Sequence, residues 1–335
     1  MKNVVRVGLL LLLITACGES FPPASVVSDF RSVAARVEAA DDPRRANPSP
    51  GDATEVSILA IDRGTDITPT LTPGPLQWFF IPCIPLPTTI GPPICVAPIQ
   101  PCEGCVATPP DDVLAEPESI RFTTPSAEEL DQNGVDEVLL QGVLCSNGQP
   151  SPDALERFLL GESDDLNPCE GPAIIEDRPI EGRFVSVEIP IESDPSDPNF
   201  NPEILTILLN GMQWPPPYDQ GVPRTAPATG CAADLEGLTP EQRDQHPRAG
   251  SDPSVVELIV TEDSLQTSTV MGMEVTEEIQ VSWLGDSGDF ERTFSFITDP
   301  ARSVLTQWRP FADAPEDGEL VRFNFVIRDG RGGTD

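Results

Sequence analysis

Apolar and polar residues alternate in many short segments along this chain, a pattern typical of β-strands with one buried face. The clearest case is LVRFNFVIRDG (320–330), where the inward set is Val321, Phe323, Phe325 and Ile327. Similar segments predict strands at 30–39, 54–62, 76–83, 135–145, 183–191, 254–262, 277–285, 289–297 and 303–308. Short strands separated by turn residues are typical of antiparallel sandwiches or barrels. The pattern therefore predicts an all-β protein built as two antiparallel β-sandwich modules.

Only a few segments carry helix signals. Ser126 and Glu129 form a capping-box pattern that predicts a short helix over 126–133. Ser151-Pro152-Asp153 predicts a second helix start, which Gly161 ends. Helices therefore add little to the predicted architecture.

Composition divides the chain into modules. The first module is predicted over 29–191, an acidic linker over 192–203, and the second module over 204–335. Thirteen of the 39 prolines lie between Pro69 and Pro117, together with four cysteines. Proline removes a backbone donor from strands and helices, so an insertion at about 66–125 is predicted to have little regular structure.

The N-terminus has the organisation of an export signal. Lys2 and Arg6 precede an almost wholly apolar run, and the small residues Thr15 and Ala16 follow it. The run is shorter than the ~20 residues that a membrane-spanning helix needs. Residues 1–16 are therefore predicted to be a secretory signal peptide.

Ile14-Thr15-Ala16-Cys17 also resembles the bacterial lipobox, in which an aliphatic residue and two small residues precede a cysteine. The resemblance implies that Cys17 becomes the lipidated first residue of the mature chain, with 17–28 as its tether. Gly18 is not the aspartate that retains some relatives at the inner membrane. The expected location is thus the outer membrane, with the modules facing either the cell surface or the periplasm.

Charge excludes one large class of partners. The formal charge is −35, and removal of the leader takes away two of the 20 basic residues and none of the 55 acidic ones, which leaves −37. Lys2 is the only lysine. Nucleic acid binding needs a basic surface, so no nucleic acid partner is expected. The expected contact with the membrane is through the N-terminal lipid.

Seven cysteines remain after Cys17. Export places them in an oxidising compartment, where disulfides persist. The disulfide candidates are Cys83, Cys95, Cys102, Cys105, Cys145 and Cys169, while Cys231 stands apart. A bridge between Cys145 and Cys169 is the best single prediction, because it would close the excursion that carries the second helix. The remaining pairings and the fate of Cys231 stay open.

The acidic linker offers one candidate metal site. Its oxygen-bearing residues are Glu192, Asp194, Asp197 and Asn199. Calcium takes 6–8 oxygen ligands, so these residues are candidates for a calcium ion that stiffens the two modules. The alternative is a solvated acidic linker, because the spacing follows no EF-hand pattern. No other cofactor is expected.

Motifs for catalysis are weak. GDSGD (285–289) is similar to the nucleophile loop of trypsin-like proteases, but the only histidine, His246, lies in an unrelated context. CEGC (102–105) lies in a proline-rich segment without a following helix, which favours structural bridges over redox chemistry. Trp214 and Tyr218 flank three prolines and form a candidate exposed aromatic contact for a ligand. The chain is expected not to be an enzyme.

The Trp-bearing segment QVSWLG and the aromatic segment that ends in RDGRGG resemble the immunoglobulin-like, PKD and cadherin-like sandwiches of bacterial surface proteins. With the leader, the chain resembles a surface lipoprotein of Gram-negative bacteria. The resemblance implies architecture rather than a ligand. We expect a non-enzymatic binding or adhesion protein with a protein or glycan partner. A structural envelope spacer stiffened by calcium is the alternative, and a carbohydrate-active enzyme is a third option.

Overall fold

The computed structural model describes residues 25–27, 30–61, 76–86, 93–106, 119–146, 148–151, 153, 168–171, 181–192, 197–213, 253–270, 273–311 and 321–335. Nearly all of its regular elements are β-strands in antiparallel sheets, so the all-β prediction is confirmed. In the described part of the chain, no helix has the length and apolarity needed to cross a membrane.

Two four-stranded sheets form the first module. Its elements are β1 (Arg31–Ala39), β2 (Ala53–Ile61), β3 (Gln77–Leu86), β4 (Ile94–Pro98), β5 (Cys102–Glu103), β6 (Ile120–Thr123), α1 (Ala127–Asn133), β7 (Glu137–Cys145), β8 (Gln149–Pro150), β9 (Cys169–Glu170) and β10 (Gly182–Pro190). One sheet has the order β1-β2-β6-β5, and the other has the order β10-β7-β3-β4. Strands β8 and β9 form a small separate pair.

The apolar faces of these two sheets enclose the first core. Its fully buried members include Val56 from β2, Phe80 from β3, Leu140 from β7 and Ile189 from β10. Burying such side chains contributes about 1.5–3 kcal/mol each. Strand β7 lies between β3 and β10, and most of its residues are buried, which explains its almost continuous apolar sequence.

Helix α1 begins and ends as its sequence indicates. The Ser126 hydroxyl accepts a hydrogen bond from the Glu129 N–H, and the Glu129 carboxylate accepts one from the Ser126 N–H. Gly134 adopts the left-handed conformation after the last turn, at φ 66°. The capping-box prediction is thus confirmed. The second predicted helix, over 151–161, lies almost entirely outside the described residues.

The prediction of little regular structure at about 66–125 is wrong for the described part of that segment. Strands β4, β5 and β6 lie there, together with β3, which contains most of the strand predicted at 76–83. Pro98 ends β4, the outer strand of its sheet, where a missing backbone donor does not break a ladder. Pro82 and Pro85 instead lie in the inner strand β3, whose register against β4 shifts between Ile84 and Pro85. Proline content indicated loops, but it could not distinguish a loop from an edge or irregular strand.

Three disulfides join the six candidate cysteines. They link Cys83 to Cys95, Cys102 to Cys105, and Cys145 to Cys169. The predicted bridge Cys145–Cys169 is confirmed. The Cys102–Cys105 bridge holds a turn whose Gly104 carbonyl accepts a hydrogen bond from the buried Trp78 indole at 2.8 Å. Cys231 lies outside the described residues.

The second module packs a five-stranded sheet against a three-stranded sheet. Its elements are β11 (Ile204–Leu209), β12 (Met212–Gln213), β13 (Ser254–Val260), a 3-10 helix (Glu262–Ser264), β14 (Thr267–Val270), β15 (Met273–Thr276), β16 (Ile279–Gly285), β17 (Asp289–Phe290), β18 (Phe294–Ile297), β19 (Ser303–Arg309) and β20 (Phe323–Arg328). The sheet orders are β12-β11-β13-β19-β17 and β18-β16-β20. Strands β14 and β15 form an additional hairpin that the sequence pattern missed.

Aromatic side chains fill the second core. Trp283 is completely buried, its indole N–H donates to Ser295 Oγ at 3.0 Å, and its ring meets Phe325 edge-on with centroids 5.4 Å apart. The buried Trp308 donates to the Ser287 carbonyl at 3.1 Å. Both indoles therefore satisfy their only donor inside the core.

Removing the Cys145–Cys169 bridge by Cys145→Ala and Cys169→Ala is expected to destabilise the chain more than removing Cys102–Cys105 by the same substitutions. The bridged positions are 24 residues apart in the first pair and three in the second. The loop-closure entropy that each bridge removes from the unfolded chain then stabilises the fold by about 3.5 kcal/mol for Cys145–Cys169 and by about 2 kcal/mol for Cys102–Cys105. Thermal unfolding of the two double variants measures the order. The reverse order would show that loop entropy does not dominate.

Candidate functional site at the module junction

The predicted calcium residues do not come together as one group. The Asn199 side chain is completely buried, whereas Glu192 and Asp197 are partly exposed, and Asp194 lies outside the described residues. Within the described ranges, no three His, Cys, Asp or Glu side chains lie close enough to hold a metal ion. Cys17, Trp214 and Tyr218 also lie outside the described residues.

The predicted linker ends in a buried, hydrogen-bonded segment. The Ala46 N–H donates to the Asn199 carbonyl at 2.9 Å, and the Asn201 N–H donates to the Arg44 carbonyl at 2.6 Å. The Arg44 guanidinium lies 5.3 Å from the centre of the Phe200 ring. Residues 199–201 therefore attach the start of the second module to the loop that follows β1.

Asn201 joins three parts of the chain. Its Nδ2 donates to the Val37 carbonyl in β1 at 2.8 Å, and its Oδ1 accepts from the Thr334 N–H at 2.9 Å. One side chain thus satisfies a buried acceptor in the first module and a buried donor after β20.

Arginine side chains reinforce the same contact. Arg36 of β1 forms an ion pair with Asp335 at 2.7 Å. Arg328 of β20 donates to the Val33 carbonyl and to Ser282 Oγ. Burial lowers the pKa of Arg328 from its usual value. A guanidinium carries several N–H donors in one fixed plane. One arginine can therefore donate hydrogen bonds to both modules, or to two strands, at the same time.

The predicted tether also contacts the second module. The Val27 N–H donates to the Gly285 carbonyl at 2.8 Å, and the Gly285 N–H donates to the Ser25 carbonyl at 2.9 Å. Val27, Leu284 and Ile61 form a small apolar cluster against Val33. The outer face of β16 is thus partly covered by the first module and by residues 25–27.

Asp329 organises the turn that follows β20. Its Oδ1 accepts from the Arg331 N–H at 2.7 Å and from the Gly333 N–H at 2.9 Å. Burial raises the pKa of the Asp329 carboxyl, whereas the hydrogen bonds from the Arg331 and Gly333 N–H groups lower it. The Asn199 amide also approaches this carboxyl and lowers its pKa.

Glu277 lies beside the same turn. Its Oε1 accepts from Arg331 Nη1 at 2.8 Å, and Arg331 Nη2 also donates to the Asp197 carbonyl at 3.3 Å. Burial raises the pKa of Glu277, the Arg331 guanidinium opposes that rise, and the charge of Asp329 adds to it. Glu277, Asp329 and Asn199, which we call the junction cluster, therefore form one electrostatic group around Arg331.

An exposed aromatic pair lies on β18. Phe294 is 52% exposed and Phe296 is 48% exposed, and their rings meet edge-on with centroids 5.8 Å apart. Strand β18 is an outer strand of its sheet among the described strands. The pair therefore combines apolar surface with an open strand edge.

The protease-like segment GDSGD has a structural role. Ser287 is buried, Asp286 Oδ1 accepts from the Arg322 N–H at 2.8 Å, and Gly288 has φ 75° where a side chain would overlap the Trp308 ring. These residues shape the turn between β16 and β17. His246 lies outside the described residues.

Of the junction cluster, sequence reasoning named Asn199 but missed Glu277 and Asp329, and it also missed the aromatic pair. Phe294 and Phe296 alternate with Ser295 and Ile297, but either face could have been the buried one. Glu277 and Asp329 lie 52 positions apart at strand ends. The only available signal was Asp329 in the glycine-rich run RDGRGGTD, which indicates a tight turn.

Comparisons with family models, with curated proteins and with solved structures found no match to this chain.

Asn201→Ala is expected to lower the free energy of unfolding by about 1–3 kcal/mol, because the substitution leaves a buried carbonyl and a buried N–H without partners. Asn133→Ala is the matched control, since the Asn133 amide donates only to the Glu129 carbonyl at the exposed end of α1. Thermal unfolding of both variants gives the comparison. An equal effect of the two substitutions would contradict the junction role of Asn201.

Proposed function

We propose that this chain is a lipid-anchored, non-enzymatic envelope protein that binds a protein or glycan partner through its second module. The observation that carries the proposal is the exposed Phe294–Phe296 pair on an outer strand. A partner that covers both rings removes apolar surface from water, and an extended partner segment could also add to the open edge of β18.

Export and anchoring support this proposal from the sequence and from the disulfides. Three disulfides within the first module suit an oxidising compartment. The leader and Cys17 resemble those of lipidated envelope proteins, and we propose the outer membrane as the location. The immunoglobulin-like identity of the sandwiches belongs to the same proposal.

A structural spacer is the second candidate function. The junction favours it, because Asn201, Arg36 and the turn at Asp329 connect the two modules through side-chain and backbone hydrogen bonds. Such a connection suits a protein that keeps a fixed shape. The two candidates differ in whether the aromatic pair is used for binding.

Shaving of intact cells with a broad-specificity protease is expected to release peptides from 254–335. Lipidation at Cys17 would hold the chain at the cell, so Cys17→Ala is expected to remove it from the washed membrane fraction. Mass spectrometry of the released peptides is the measurement, and a soluble periplasmic protein is the control for cell integrity. Complete protection before lysis would place the modules in the periplasm and would favour the spacer.

The double variant Phe294→Ser and Phe296→Ser is expected to weaken partner binding at least ten-fold, because burial of one phenylalanine contributes about 1.5–3 kcal/mol. The purified chain would be screened on a glycan array and on a displayed peptide library. Phe311→Ser is the control, because Phe311 is another exposed phenylalanine, outside the strands.

Ligands that persist in the double variant would show that the contact lies elsewhere, with Trp214 and Tyr218 as the next candidates. A wild-type chain without any ligand would favour the spacer function.

A further inference from the structure

Three buried oxygen atoms in the junction cluster have no hydrogen-bond partner among the described residues. They are Asn199 Oδ1, Glu277 Oε2 and Asp329 Oδ2. The three residues are 0%, 7% and 5% exposed, respectively. A buried acceptor without a partner costs about 1–3 kcal/mol, and more when it is charged. Such atoms are rare in folded proteins, and three in one cluster call for a physical explanation.

The three atoms belong to side chains that act on one another. Arg331 joins two of them, because its N–H donates to Asp329 Oδ1 at 2.7 Å and its Nη1 donates to Glu277 Oε1 at 2.8 Å. Asn199 Nδ2 donates to Asn47 Oδ1 at 3.5 Å, and the same amide lowers the pKa of the Asp329 carboxyl. Gly333 lies directly against Asp329 Oδ2, where a Cβ atom would overlap it. The backbone is thus fitted closely around the same carboxyl.

The charges of the cluster do not balance. Arg331 is the guanidinium that contacts the cluster in the described residues, and it donates to Glu277 Oε1 and to the Asp197 carbonyl. Arg36 pairs with Asp335, and Arg328 donates to Val33 and Ser282. One guanidinium therefore faces two carboxyl groups, and ionisation of both would leave one negative charge in a buried position.

We propose that the junction cluster binds a divalent cation, with Asn199 Oδ1, Glu277 Oε2 and Asp329 Oδ2 as its protein ligands. All three ligands are hard oxygen atoms, two of them from carboxylates, which suits calcium rather than zinc or copper. Calcium also accepts irregular geometry and completes its shell with water or backbone carbonyls. This set retains Asn199 from the site predicted in the linker and replaces the other three residues.

The cation would connect three segments of the chain. Asn199 precedes β11, Glu277 lies between β15 and β16, and Asp329 follows β20. Bound calcium would give the three unpartnered oxygen atoms a cation where the second module meets the first, and a ligand that binds only the folded state stabilises it. Calcium binding by the purified chain would need neither the lipid anchor nor a binding partner.

Calorimetric titration of Ca²⁺ into the EDTA-treated full chain tests the proposal. One saturable site is expected, and Glu277→Gln is expected to weaken it at least ten-fold. Glu278→Gln is the matched control, since it removes the same charge from the exposed neighbouring residue. Circular dichroism establishes that each variant is folded.

Asn199→Asp provides a second, opposite test. It adds a negative charge to a proposed ligand, so it is expected to bind Ca²⁺ more tightly than the wild-type chain. If Glu277→Gln fails to fold, this variant decides alone. Absence of a saturable site, equal weakening by Glu277→Gln and Glu278→Gln, or unchanged or weaker affinity in folded Asn199→Asp would each overturn the proposal.

Discussion

The hydrogen bonds of Asn201 are the contact on which the relation between the two modules depends. The Val37 carbonyl and the Thr334 N–H are both buried, and buried backbone groups need partners. A single asparagine amide meets both needs because it carries a donor and an acceptor on one planar group. The ion pair of Arg36 with Asp335 and the backbone hydrogen bonds of residues 199 and 201 to residues 46 and 44 lie in the same contact.

Arginine side chains form the main electrostatic interactions of this junction. The formal charge of −35 disfavours compaction through self-repulsion, so the positions of the few positive side chains matter for stability. Arg36, Arg328 and Arg331 all lie at the junction, and each binds more than one acceptor. Lys2 is the only lysine in the chain, and arginine suits this role because its donors are fixed in a plane and its charge persists on burial. Even so, the positive charge is insufficient at the junction cluster, where two carboxylates share one guanidinium.

The sequence predicted elements that neighbouring residues determine. It did not predict features that depend on tertiary contacts between distant residues. Alternation located most strands, including the inward face of 321–327, because the period of a strand is recorded in neighbouring residues. The capping box of α1 and the pairing of Cys145 with Cys169 were predictable for the same reason. The acidic, proline-containing composition of 192–203 indicated a solvated linker, yet Asn199 and Asn201 are buried. Their burial depends on strands and turns that lie more than a hundred positions away, which no local pattern records. The same reason explains why Glu277 and Asp329 escaped notice.

The attachment of residues 25–27 limits where any partner of the second module can lie. If Cys17 carries the lipid, eight residue steps separate it from Ser25, and an extended chain of that length spans at most about 29 Å. Ser25 and Val27 are bonded to Gly285 at the end of β16, and Phe294 pairs with Ser282 only three residues earlier in that strand. Three strand residues and two strand-to-strand steps of about 5 Å add about 20 Å, so the aromatic pair would lie within about 50 Å of the membrane surface. A partner that covers Phe294 and Phe296 would then belong to the same envelope, as a neighbouring protein or a membrane-proximal glycan, rather than to a distant surface. Under that anchoring, the short tether favours recognition within the envelope over long-range adhesion.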